Sequence, residues 1–169
     1  MAKYKLGLVD IMMGPVGAGG TMGTALTPVG NTVADSPTFN TDDPTKQDFN
    51  IEEQDNPVLS ITTAPGSETF SWNCYDVDTA TLQRLFGGTV IAATDGQPAR
   101  WNAPAQIPEI EQSISLRWRG GGGLDIPRAK VTSKLSLSFK KTALSQIDIV
   151  ADILQPEDGD TPNKIIIPA

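Results

Sequence analysis

Residues 109–154, EIEQSISLRWRGGGGLDIPRAKVTSKLSLSFKKTALSQIDIVADIL, decide the fold class. Three successive runs alternate apolar and polar side chains, and a period of two places neighbouring residues on opposite faces of a strand. In 109–119, Ile110, Ile114, Leu116 and Trp118 point inward, and Glu111, Ser113, Ser115, Arg117 and Arg119 point outward. In 129–139 the inward set is Val131, Leu135, Leu137 and Phe139, with Lys130, Lys134, Ser136 and Ser138 opposite. In 146–154, Ile147, Ile149, Ala151 and Ile153 share one side, and Asp148 and Asp152 the other. Gly120–Gly123 make a flexible tip between the first two runs. Long alternating strands joined by tips predict an antiparallel sandwich or open barrel.

Working outward, 89–93 and 97–103 form a hairpin about Asp95-Gly96. Upstream lies the one clear helix, Thr79–Phe86. Asp78 is its N-cap, Leu82, Leu85 and Phe86 form its apolar face, and Gly87-Gly88 end it. A helix this short needs a sheet to dock on. Residues 58–63 and 67–76 are strands around the turn Ala64-Pro65-Gly66. Residues 35–57 carry little hydrophobic period and read as a long protruding loop or extended hairpin, anchored by Phe39, Phe49 and Ile51. Such a loop in a small domain is usually functional, which makes it the chief candidate for contact between subunits. Residues 24–34 are a short strand broken at Pro28 and Gly30. Residues 3–13 are a first strand, with Tyr4, Leu6, Leu8 and Asp10 on one side and Lys5, Val9 and Ile11 on the other. Residues 155–169 form a C-terminal arm whose tip, Ile165–Ile167, suits a last strand on a sheet edge, in this subunit or a neighbour. The count is seven to nine strands and one helix, in one domain over residues 1–169.

Composition narrows the function. Apolar residues make up 38% of the 169, while Gly and Pro number 16 and 13, so a modest core carries much peripheral chain. Such chains often complete their burial against neighbours. Histidine is absent, which removes the commonest general base and zinc ligand and any Ser-His-Asp triad. The single cysteine, Cys74, excludes an internal disulfide and reads as a small buried strand residue. No catalytic residue, cofactor or metal is expected. Gly17–Gly23 (GAGGTMG) lacks phosphate-loop spacing, Asp42-Asp43 and Glu157–Asp160 do not fit a calcium loop, and Ser133 and Lys134 point to opposite faces. Trp72 and Trp118 are in phase with apolar neighbours and belong to the core; Trp101 lies near a turn. The N-terminal Met1-Ala-Lys-Tyr-Lys leads into only a short apolar patch, and no run of ~18 apolar residues follows, so a soluble protein made in a cytoplasm is expected.

The net charge of −7 is unevenly placed. Asp35, Asp42, Asp43, Asp48, Glu52, Glu53 and Asp55 stand against Lys46 in residues 31–60. Residues 100–141 hold eight cations, among them Arg117, Arg119, Lys140 and Lys141, against three acids. Two solvated faces would explain this; so would complementarity between copies, with the acidic loop meeting the basic patch. The candidate contact residues between copies are therefore Asp42, Asp43, Asp48, Glu52, Glu53, Arg117, Arg119, Lys140 and Lys141. An acidic chain is a poor candidate for tight nucleic-acid binding.

The phrase Tyr75-Asp-Val-Asp78, the helix Thr79–Phe86 and Gly87-Gly88 resemble the middle of phage tail tube proteins. Ile126-Pro-Arg-Ala-Lys-Val131, leading to Ile153-Leu-Gln-Pro156, and the opening Leu6-Gly-Leu-Val-Asp-Ile11 extend that resemblance over most of the chain. It implies a β-sandwich or open barrel with one flanking helix. Six copies would form a ring, and stacked rings would enclose a channel for double-stranded DNA in a virion tail assembled in the host cytoplasm. Partners would be the chain's own copies and the tape-measure, terminator and baseplate or tip proteins, with no membrane. Asp148 and Asp152 are candidates for the lumen, which should not grip phosphate. The alternatives are the tube of a contractile injection or type VI-like machine, and a capsid decoration or sugar-binding module using Trp101. An enzyme is disfavoured.

Overall fold

The three alternating runs form the centre of a mainly β structure, 46% strand and 7% helical. The computed structural model describes residues 7–167. β9 (Ile110–Trp118), β10 (Gly123–Ser136) and β11 (Gln146–Ile153) pair antiparallel in that order. β1 (Leu8–Gly14) and then β2 (Thr27–Pro28) extend the sheet beyond β9. β6 (Glu68–Cys74) and then β3 (Thr38–Thr41) extend it beyond β11. β12 (Lys164–Ile166) lies along the first residues of β10, so the C-terminal tip takes a sheet edge within its own chain. Two separate hairpins remain: β4 (Thr45–Phe49) with β5 (Leu59–Ala64), and β7 (Thr89–Ile91) with β8 (Arg100–Asn102). Among the described residues there are twelve strands against the expected seven to nine, in part because β3 and β4 form within the segment read as a loop or extended hairpin.

The buried face collects Ile11, Met13, Phe70, Trp72, Ile114, Ile126, Ile147 and Ile149. The sheet is curled, and one segment laces its two edges together. Val29 N–H donates to Ile11 O of β1 at 3.0 Å, and Val33 N–H donates to Asn73 O of β6 at 2.8 Å. The result is sandwich-like and not a closed barrel. The lacing also covers edges that would otherwise invite non-specific pairing.

Helix α1 (Thr79–Phe86) buries Leu82 and Leu85 against this core. Its Arg84 guanidinium donates to the carbonyls of Pro28, Thr27 and Met13, fastening it to the β1–β2 edge. Asp78 Oδ1 accepts from Thr81 N–H at 2.7 Å, and Gly87 ends the helix with φ +73°. Replacing Asp78 by alanine orphans that N–H. It is expected to cost about 1 kcal/mol, or roughly 2–4 °C in Tm, whereas Asp78→Asn should melt near the parent. Thermal unfolding followed by circular dichroism checks both.

Several expectations are corrected. Leu8 shares a face with Ile11, not with Asp10, because the register between β1 and β9 shifts between Leu8 and Asp10; Tyr4, Lys5 and Leu6 lie outside the described residues. Ser113 and Ser115 are buried, not solvent-facing. The glycine-rich loop folds over Ser113, whose Oγ accepts from Gly23 N–H at 2.9 Å and donates to Pro127 O at 2.5 Å, while Ser115 Oγ donates to Asp125. Gly123 belongs to β10, not to the tip. β10 stops at Ser136, so Leu137 and Phe139 are exposed at 50% and 93%, not core. Trp72 is fully buried and Trp118 partly so, and Trp101 donates its Nε1 to Gly87 O at 2.8 Å while its ring packs beside Phe86. Finally, β5 does not pair with β6 about Ala64-Pro65-Gly66; it pairs with β4.

Candidate assembly surfaces

That last pairing builds the most conspicuous surface of the molecule. β3 and β6 run side by side in the main sheet, with Thr41 opposite Glu68. The two chains then leave it together. Asp42 N–H donates to Ser67 O at 2.8 Å, the Ser67 hydroxyl donates to the Asp42 carboxylate, and the ladder resumes with Thr45 opposite Ala64. Gly66 is required at this junction, because a Cβ there would lie 1.8 Å from Asp42 O. Residues 42–67 therefore form a two-stranded arm continuing β3 and β6 past the sheet, whereas the loop or hairpin is expected at 35–57. Thr63 is the extra residue of a bulge that tightens the arm near its base, its hydroxyl donating to Thr45 O at 3.2 Å.

Register sorts the arm's side chains. Directly opposed residues share a face, so Phe49 with Leu59 and Gln47 with Ile61 make one face, while Asp48 with Ser60 and Lys46 with Thr62 make the other. The first face is apolar, yet Phe49, Leu59 and Ile61 are 45%, 52% and 46% exposed. Every residue of β4 and β5 is exposed. A lone two-stranded ribbon is marginally stable in water. Asp42, Asp43, Asp48, Glu52 and Glu53 all lie on this arm and are exposed. Among the described strands and helix, β4 and β5 make extensive contact only with each other.

A second apolar surface lies at the opposite end of the sheet. The arm departs where Thr69 pairs with Asp152, near the end of β11; the β10–β11 loop leaves where Ser136 pairs with Gln146, at its start. The two are separated by the length of β11, about 20 Å at ~3.3 Å per residue. Residues 134–145 carry Lys134, Lys140 and Lys141 and no acid. They also expose Leu137, Phe139 and Leu144. Ser138 and Ser145 pinch the loop at its neck, Ser138 N–H donating to Ser145 Oγ at 3.0 Å.

Arg117 and Arg119 do not join this basic loop. They sit at the arm's own end of the sheet, where Arg117 pairs with Gly123. Arg117 donates to Asp125 at 2.6 Å, and Asp125 also accepts from Ser115 Oγ. The expected basic patch is thus two patches at opposite ends. Asp148 and Asp152 lie on the polar face of β11, each opposite a lysine of β10: Asp148 with Lys134 and Asp152 with Lys130. Lys130 also donates to Glu109 at 2.6 Å, and that bond first, with the carboxylates around it, holds its pKa above the ordinary lysine value.

Cys74 is fully buried, and burial pushes its thiol pKa up, away from the reactive thiolate. Among the described residues no three His, Cys, Asp or Glu side chains are grouped to hold a metal, and no helix is long and apolar enough to cross a membrane. No protein-family model matches this chain, and no curated protein is significantly similar to it.

Proposed function

We propose that this chain is a structural, non-enzymatic subunit that polymerises with its own copies, as the tube protein of a phage tail does. The observation that carries the reading is the arm: a projecting ribbon with a bare apolar face, too thin to be held by its own contacts. A surface of that kind is explained by a partner that covers it. Because the arm's end differs from the opposite end, joining them is heterologous and repeats without limit, which makes a filament or stacked rings. In such a tube the polar face of β10 and β11 is the candidate channel lining. Its in-register Asp–Lys pairs offer phosphate neither a cationic row nor a strongly repelling one, which suits DNA passing without specific binding. Tape-measure, terminator and baseplate or tip proteins would meet the two ends of the tube in a virion tail. The tube of an injection machine would use the same surfaces.

Sedimentation velocity and negative-stain microscopy across a concentration series test the reading. Growth from free subunit to rings and tubes is expected as concentration rises. A chain that stays monomeric at the highest attainable concentration overturns it.

A further inference from the structure

We infer that the arm's acceptor is the β10–β11 end of the next copy: the arm's apolar face lies across the loop at 137–145. The inference rests on the assembly reading above and names the partner surface within it. Three observations converge on this acceptor. The first is position: arm and loop stand at opposite ends of one sheet, so the arm of one copy is presented to the loop end of another stacked in line. The second is charge. Residues 42–55 carry six acids and one lysine, while residues 134–145 carry three lysines and no acid. The arm's own end, with Arg117 already paired to Asp125, offers a weaker match.

The third is apolar fit. Leu137, Phe139 and Leu144 are exposed on the loop as Phe49, Leu59 and Ile61 are on the arm. Apolar contact would then supply the adhesion, and the charges would fix which end meets which.

Charge reversal in trans tests the pairing. One variant carries D48K, E52K and E53K; the other carries K140E and K141E; all five positions are exposed. Each alone should assemble at least about 10-fold more weakly than the parent, because like charges then face one another. Mixed in equal amounts, they should regain assembly to within about threefold, since each arm now meets an acceptor of opposite sign. If K140E/K141E alone assembles like the parent, or the mixture fails to recover, the acceptor lies elsewhere and the inference is overturned. The assembly reading survives that result; it falls only if the parent chain itself does not assemble.

Discussion

Leu59→Asp together with Ile61→Asp is expected to abolish the proposed self-association while leaving the fold of the single chain intact. Both residues lie on the apolar face of the arm, beyond the point where the ribbon leaves the sheet, and about half of each side chain already meets water. Their replacement removes nothing from the core, so the melting temperature of the dilute chain should move by no more than ~2 °C, as for ordinary surface substitutions. Assembly is another matter. Covering a fully exposed leucine or isoleucine contributes about 1.5–3 kcal/mol, so covering the half still exposed contributes roughly 1 kcal/mol apiece. Losing both contributions weakens each junction by more than 10-fold, at about 1.4 kcal/mol per decade. Burying two carboxylates in their place costs more, unless they remain in water and hold the junction open. A loss of at least about 100-fold in assembly is therefore expected, read as the shift in the concentration at which large species appear in sedimentation velocity. Leu59→Met with Ile61→Val keeps the face apolar and should assemble close to the parent. Double-aspartate chains that form tubes at parental concentrations would show that the arm face is not an adhesive surface.

How much of this was legible in the sequence depends on what each feature needs. The three central strands were, because burial of one face enforces alternation in their side chains, and the helix was, because Asp78 and Gly87 mark its ends. Alternation says nothing about what covers the other face. Ser113 and Ser115 are polar and small, which suits a solvent face and equally suits a loop that packs close and takes a hydrogen bond. The arm hid for a related reason. A ribbon that buries neither face within its own chain has no periodic signature, so Thr45–Phe49 carried no signal beyond one aromatic residue. The turn signal Ala64-Pro65-Gly66 was real but marked the junction of arm and sheet instead of a hairpin tip. The acidic run carried by the arm was legible from composition, since its residues lie close together in the chain. Arg117 and Lys140 could not be separated that way. They are near in sequence, but β10 runs the length of the sheet between them and carries them to opposite ends.

Trp72→Ala should be the most damaging single change to the folded chain, and it bears on assembly from the opposite side. Trp72 is fully buried at the centre of β6, its ring stacked on Phe70 at 4.9 Å between centroids and its strand neighbour Ile149 equally buried. Truncating a buried tryptophan to alanine costs about 3–5 kcal/mol, because the curled sheet cannot collapse into the space left behind. That is about a fifth or more of the ~5–15 kcal/mol that keeps a domain folded, and Tm should fall by roughly 10 °C. The indole N–H complicates the account in a testable way. Nε1 is buried without a hydrogen-bond partner, so the ring's packing is set against the cost of that orphan donor, roughly 1–3 kcal/mol. Trp72→Phe removes the donor and keeps most of the apolar volume. It should therefore lose far less than the alanine variant and can approach the parent in stability. Because β6 continues into the arm, Trp72→Ala also loosens the strand on which the arm is mounted. Its assembly should fail in step with its unfolding and recover on cooling, whereas the double-aspartate arm variant should fail at every temperature. A Trp72→Ala chain melting within ~2 °C of the parent would mean that the sheet is not held together at β6, and that the arm has no rigid base to project from.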